Sequence, residues 1–422
     1  MRVIAASHRR RYAAVIALAL VLVSATACAD SSKSSKADDN LSTVSSSQAV
    51  ADAPAGTFAG KKATGTAVKV GLINNEGGAA ISQPEGRIAA TAAVTYANAN
   101  LGGLGGHPIE LVICKEKEEP ASAADCANQM VESGVVAVVV ADTGYGAVMA
   151  PIIHKAKIAY VSYNAASAAE LTAKDYGYAW TGGFPGDLNG MAQYAKKQKM
   201  TNVTLFALDV PAVTTGAKAI GVPAFAAQGV KLTVVPVPPG TPDATPQVSA
   251  GLKTNPQAIV EIGDATFCTS ILKSMTALGS KAQKFIIQSC YAPSVFKAAG
   301  AALDGAKLFS TGDGATDDPE AKAYRAILAK YAPGAQTTGS AVPGYQSMMG
   351  LIRAAAAVTG DITPASVDTA IRAAKDVPIP AGHGGTMTCD GTALPGFPAV
   401  CSGSSVVATI KGTKVVDSQL LN

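Results

Sequence analysis

Val68-Lys-Val-Gly-Leu-Ile73 is a short run of mainly apolar residues bounded by small and polar ones, and it reads as a buried parallel strand. A helical segment follows. Ser82-Gln-Pro-Glu85 has capping-box spacing at its start, and Ile88, Ala92, Thr95, Tyr96 and Ala99 share one face. Gly102-Gly-Leu-Gly-Gly106 then turns the chain into a second run, Ile109-Glu-Leu-Val-Ile113. Strand, helix and strand in that order make a βαβ unit, and such units build a parallel sheet covered on both faces.

The alternation continues outward. A helix from about Ala121 to Glu132 precedes the strand Val135 to Val140, and a helix through Met149 precedes the strand Ile158 to Ser162. After Phe184-Pro185 the pattern starts again, with strands at Val203 to Leu208, Val230 to Val237, Ala258 to Ile262 and Lys284 to Gln288. Roughly 350 residues of alternating elements exceed one hydrophobic core. The expected fold class is therefore α/β, with two doubly wound parallel-sheet lobes and the lone Trp180 just before their junction. The glycine run is a turn rather than a phosphate cradle, because a dinucleotide loop follows a strand and opens a helix, whereas this one follows a helix and opens a strand.

Before these lobes the chain has a different character. Arg2, Arg9, Arg10 and Arg11 precede an apolar stretch from Tyr12 to Val23. That stretch is short for a membrane span, which takes roughly 20 apolar residues. It ends in Val21-Leu-Val-Ser-Ala-Thr-Ala-Cys28, which resembles a bacterial lipoprotein box with Ala25 where Leu is usual. The expectation is a signal peptide over 1–27, cleavage that leaves Cys28 as the lipidation site, and a location on the extracytoplasmic face of the cell envelope, anchored to the membrane. An ordinary secretory cleavage near Ala27 or Ala29 is the alternative. Residues 28–65 are rich in Ser, Ala and Asp and read as a disordered tether. A random coil of that length holds its domain on the order of 30 Å from the membrane.

Charge excludes one class of partner. The chain has 34 Lys and Arg against 30 Asp and Glu, and the four arginines before Cys28 account for the whole excess. The remainder is balanced, so no nucleic-acid partner is expected.

The other six cysteines fall in three close couples, Cys114 with Cys126, Cys268 with Cys290 and Cys389 with Cys401. Six cysteines allow fifteen connectivities. Each couple lies on adjacent elements, which favours local disulfides; metal binding is the rival, although metal sites usually place two ligands within a few residues. Catalytic constellations are scarce. His8 lies in the leader, His107, His154 and His383 are scattered, and there is no His-Glu-x-x-His, Gly-x-Ser-x-Gly or Cys-x-x-Cys. Nothing here argues for an enzyme, although a cofactor-free hydrolase built from residues distant in sequence stays open, and no metal and no cofactor are expected.

The stretches Val68 to Ile73, Ala89 to Asn98, Leu101 to Val112, Pro120-Ala-Ser-Ala-Ala-Asp-Cys-Ala-Asn-Gln129, Val161 to Thr172, Ile259 to Ser274 and Pro343-Gly-Tyr-Gln-Ser347 together resemble the type I periplasmic-binding proteins. The likeness is to the Leu/Ile/Val-binding branch that feeds ABC importers. It implies two lobes joined by a three-crossing hinge, near Phe184–Leu188, Phe309–Asp313 and Gly382–Met387. Lobe 1 would comprise 66–184 and 312–384, and lobe 2 185–311 and 385–422. A small-molecule solute would sit between them, with an ABC permease as the partner; a ligand-sensing receptor lipoprotein on the same clamp is the alternative.

The resemblance also implies a pocket. In relatives a Ser-rich loop holds the solute carboxylate; here that loop is Ala141-Asp-Thr-Gly-Tyr-Gly146, where Gly144 stands and Tyr145 replaces the serine. Ala165 and Ser167 would supply a carbonyl and a hydroxyl. In lobe 2 an acid near Ser289 would grip an ammonium, but Ser289 itself is no acid, which leaves Asp264 or Glu76 for that role. Branched-chain amino acids are therefore not carried over as the solute; Tyr145, Phe267 and Tyr291 would make the cleft more aromatic and favour a larger or less zwitterionic ligand, and the expected solute is an amino acid or a related amide or aromatic compound.

Overall fold

The computed structural model describes residues 46–78 and 82–421. Cys28, the leader 1–27 and residues 28–45 of the expected tether lie outside the described residues. In lobe 1, β1 (Val68–Asn75), β2 (Ile109–Glu116), β3 (Ala137–Asp142), β4 (Ala159–Ser162) and β5 (Gly177–Ala179) form a wholly parallel sheet in the order β2-β1-β3-β4-β5. Lobe 2 repeats the plan with β6 (Asn202–Leu208), β7 (Lys231–Val237), β8 (Ala258–Ile262), β9 (Gln283–Ile287) and β10 (Lys307–Ser310), parallel in the order β10-β9-β8-β6-β7. A small ribbon, β11 (Val377–Pro378) with β12 (Thr386–Met387), follows in lobe 1. The antiparallel hairpin β13 (Ser405–Lys411) and β14 (Lys414–Leu421) then closes the β10 edge of the second sheet.

Side-chain alternation explains the layering. On β1, Val70 and Leu72 face a core shared with the helices Pro84–Asn100 and Ala341–Ala354. Ile73 faces the opposite core with Met130, Met149 and Ile153. On β6, Val203 and Leu205 join one core of lobe 2 and Phe206 the other. Trp180 is fully buried, stacks beside Tyr178 and donates from Nε1 to the Ser347 carbonyl at 3.0 Å. A Cβ on Gly350 would lie 2.3 Å from that indole nitrogen, so only glycine lets the helix approach. The glycine turn is a turn: Gly103 has φ +67, and its Cβ would meet the His107 carbonyl oxygen at 2.1 Å.

Three differences from the sequence reading have physical causes. First, the tether does not extend to residue 65. Ser46–Ala51 is a helix that packs on the helix Pro319–Tyr331, and Lys61 and Ala63 donate to the Asn100 and Asn98 carbonyls. Phe58 secures this arm. Its ring lies 6.2 Å from that of Tyr96 and 6.4 Å from that of Tyr331, with Lys330 Nζ 4.0 Å from its centroid.

Second, the third crossing lies at Ser402–Ser405, not Gly382–Met387. Met387, Cys389 and Cys401 belong to the lobe 1 core, and Ala179 of β5 donates to the Ala399 carbonyl and accepts from the Cys401 N–H. Residues 385–401 thus pack with lobe 1 rather than lobe 2. The other two passages fall between β5 and the helix Gly183–Lys197, and just after β10.

Third, Ser82 does not cap a helix. That helix begins at Pro84 without a side-chain cap, and Ser82 Oγ instead accepts from the Gly77 N–H at 3.0 Å. The three local disulfides, Cys114–Cys126, Cys268–Cys290 and Cys389–Cys401, are all present.

Phe58→Ala should cost about 1–2 kcal/mol, less than the roughly 3–5 kcal/mol of a wholly buried aromatic, and should speed proteolysis within residues 46–65. Urea titration and mapped limited proteolysis read both effects. An arm as resistant as in the wild type would show that Phe58 does not secure it.

Candidate functional site

A cavity of about 340 Å³ opens between the two sheets at the carboxyl ends of their strands. Lobe 1 supplies Asp142 at the end of β3, Tyr163 and Asn164 after β4, and Ser340 and Gln346 around the start of the helix Ala341–Ala354. From lobe 2 come Phe184 and Asp187 of the helix Gly183–Lys197, Ser289 and Tyr291 after β9, and an apolar wall that includes Leu308 and Val406. Asp313 lies where the chain leaves β10.

Hydrogen bonds fix these groups. Gln346 is 1% exposed and donates from Nε2 to the Thr311 carbonyl at 3.0 Å and the Pro380 carbonyl at 2.9 Å. Asp313 accepts from the Ala315 and Thr316 N–H groups and from the Thr316 hydroxyl, and it faces His383 Nδ1 at 2.8 Å. Asp142 accepts from Ser340 Oγ at 3.0 Å, and Asp187 from Ser405 Oγ at 3.1 Å. Burial pushes the Asp142 carboxyl up to about 6 and the Asp187 carboxyl up to about 7, against the lowering effect of those hydroxyls.

Of the residues singled out in sequence, the structure brings Ser289 and Tyr291 to this cavity. Ser289 Oγ donates to the Gly263 carbonyl, and Tyr291 OH to the Thr413 carbonyl at 2.9 Å. The others are engaged elsewhere. Glu76 pairs with Arg87 at 2.6 Å and Lys115 at 2.8 Å, and the Arg87 guanidinium holds its carboxyl below the ordinary range. The Gly144 N–H donates to Glu118 Oε1 at 3.0 Å, and the Tyr145 N–H to Thr143 Oγ1 at 2.9 Å. Ala165 is buried beside Leu171 and Val400. Ser167 caps the short helix Ala168–Leu171, where its hydroxyl donates to Glu170 Oε2 at 2.7 Å. Asp264 caps the helix Ala265–Ala277 by accepting from the Phe267 N–H at 2.8 Å.

Sequence reasoning passed over Asp142, Asp187, Asp313 and Gln346. Asp142 stood inside the loop Ala141 to Gly146, and an acid directly after a strand of a doubly wound sheet was the available signal.

Among the described residues, one grouping has metal-like proximity: Glu261, Cys268 and Cys290, with ligand atoms within 4.8 Å of one another. Both sulfurs are in the disulfide, so no thiolate is left to bind an ion. Glu261 is 0% exposed and neither carboxyl oxygen has a partner. Burial raises it from 4.5 to about 8, with Lys284 opposing.

A family model described as periplasmic binding protein matches residues 67–399. The chain belongs to the periplasmic binding protein family. Its fold is the type I arrangement of two α/β lobes, and the family is one of binding proteins rather than enzymes. The leucine binding protein LivK from Thermotoga maritima aligns with a TM-score of 0.66 at 20% identity, over 84% of this chain and 99% of that one. An ABC transporter substrate-binding protein from Sphaerobacter thermophilus gives 0.71 at 17% identity, over 84% and 98%. LivJ from Streptococcus pneumoniae, a branched-chain amino acid transporter substrate binding protein solved with isoleucine, gives 0.65 at 21% identity, over 84% and 99%. No curated protein matches the chain in sequence.

Because its folded value lies above its unfolded one, Glu261 contributes full stability below about pH 4.5 and loses that contribution as pH rises towards about 8. Urea unfolding across pH 4–9 should therefore show a steeper fall between about pH 4.5 and 8 for the wild type than for Glu261→Gln. Equal slopes would mean that Glu261 does not titrate in its buried place.

Proposed function

We propose that this protein is an extracytoplasmic solute-binding lipoprotein that closes its lobes on a small organic solute and presents it to the permease of an ABC importer. The observation that carries this reading is the interlobe cavity, with walls drawn from both lobes at the ends of their strands. A ligand shifts an open–closed equilibrium only through differential affinity, and a solute touching both walls makes contacts that exist only in the closed form. Three disulfides suit an oxidising compartment outside the cytoplasm. The leader and Cys28 supply the membrane anchor in this reading. Structural neighbours named for leucine and isoleucine suggest a solute of amino-acid size.

Two measurements test it. Small-angle scattering should show a smaller radius of gyration once the protein is saturated with a solute that native mass spectrometry finds bound. Superimposable curves with and without that solute would refute the clamp. Cys28→Ala should move the protein from the membrane fraction to the soluble or culture fraction. Persistence in the membrane would argue against a lipid on Cys28.

A further inference from the structure

Resting on the clamp reading, we infer that the solute taken by the interlobe cavity is a protonated amine or amidine on an apolar body, without a carboxylate. Among the described residues, the cavity wall carries three carboxyl groups, Asp142, Asp187 and Asp313, and no Lys, Arg or His. Asp313 is satisfied within the protein by His383 and Thr316. Asp142 and Asp187 are different. Each accepts a hydrogen bond from one serine, and among the described residues neither is paired with a basic side chain. A partly buried carboxylate without a cation is costly, and charge-assisted hydrogen bonds from a bound cation would offset that cost.

Ser418 Oγ belongs to a residue of the same cavity, is buried without a hydrogen-bond partner among the described residues, and can accept from a bound N–H or donate in turn. Two further observations favour a cation over a zwitterion. The donors that the resemblance assigns to a carboxylate are not offered to this cavity: Gly144 N–H goes to Glu118, Tyr145 N–H to Thr143, and the Ser167 hydroxyl to Glu170. A carboxylate brought between Asp142 and Asp187 would meet only like charge. The remaining wall, with Phe184, Ile287, Leu308 and Val406, suits a hydrocarbon or aryl body.

The two acids come from opposite lobes, and Tyr163 lies near both: burial first, then the charges of Asp142 and Asp187, push its hydroxyl well above the usual range. The ionisable groups facing Asp142 are Tyr163, Glu118 and Glu85; Asp187 is faced by Tyr163 and by the Ser405 hydroxyl. Among the described residues, none of these groups is a base.

Two matched triads test the inference by calorimetry on the folded chain at pH 7.5: 3-methylbutylamine, leucine and 4-methylpentanoate, then phenethylamine, phenylalanine and 3-phenylpropanoate. Within at least one triad the amine should bind tenfold or more tighter than the amino acid, with the acid anion undetected. Asp142→Asn and Asp187→Asn, each checked for folding by circular dichroism, should each weaken that amine tenfold or more. Affinity should climb from pH 5 to pH 8 as the carboxyls ionise. An amino acid or anion that binds as tightly as its amine, or amine affinity unchanged in both variants, overturns the inference, as does failure of both amines to bind. The clamp reading falls separately, only if no solute found by native mass spectrometry contracts the scattering profile.

Discussion

Everything in this molecule depends on how three chain passages between two sheets are satisfied. Two of these passages leave a strand and the third runs from a loop into β13, so all three lack ladder partners where unpaired backbone groups are expensive. Gln346, nearly wholly buried, takes the carbonyls of Thr311 and Pro380 with one amide nitrogen. The Asp313 N–H goes to Ala381, and its carboxylate gathers Thr316 and His383. His383 Nε2 lies 3.2 Å from the Ser418 carbonyl on β14, so one imidazole touches a passage, a lobe 1 loop and a lobe 2 strand. With these polar groups bound to one another, the cavity between the lobes keeps few of its own lining groups in need of a partner.

The sheets were legible where short apolar runs carried the signal. Val203 to Leu208 and Ala258 to Ile262 sit within a residue of β6 and β8, because a parallel strand buried on both faces is apolar over most of its length, here with Thr204 and Glu261 as the exceptions. β13 and β14 were not read. Their partner β10 lies about a hundred residues earlier, and nothing local announces that an antiparallel hairpin will close a parallel sheet. The arm was misread for a related reason. Composition said that residues 46–65 cannot form a core of their own, which is true, but one ring, Phe58, suffices to join an existing one.

The site was harder to read than the fold, and the reason is competition for hydrogen bonds. A resemblance places Ser167 and Asp264 at the ends of strands, where ligands bind. The same positions open helices, where a hydroxyl or carboxylate satisfies an otherwise orphaned N–H. Both side chains are engaged that way here. Glu76 is likewise drawn into a pair with Arg87 and Lys115. Which polar group stays available is decided by neighbours distant in sequence, such as Ser340 for Asp142 and Ser405 for Asp187.

Placing the two uncompensated acids on opposite lobes has an energetic consequence for closure. A cation gripped by Asp142 alone would bind open and closed forms about equally and shift nothing. Gripped by both, it makes contacts that only the closed form offers. Moving a clamp from 1:99 to 99:1 takes about 5.5 kcal/mol of differential affinity. Hydrogen bonds to charged groups contribute about 1.5–3 kcal/mol each, so a few split between the lobes reach that scale. Glu261 cannot share the task. Buried under the Cys268–Cys290 disulfide with its carboxyl pushed up to about 8, it keeps its proton at neutral pH and presents no charge to the cleft. The switch is thereby confined to the pair that faces the solute from both sides.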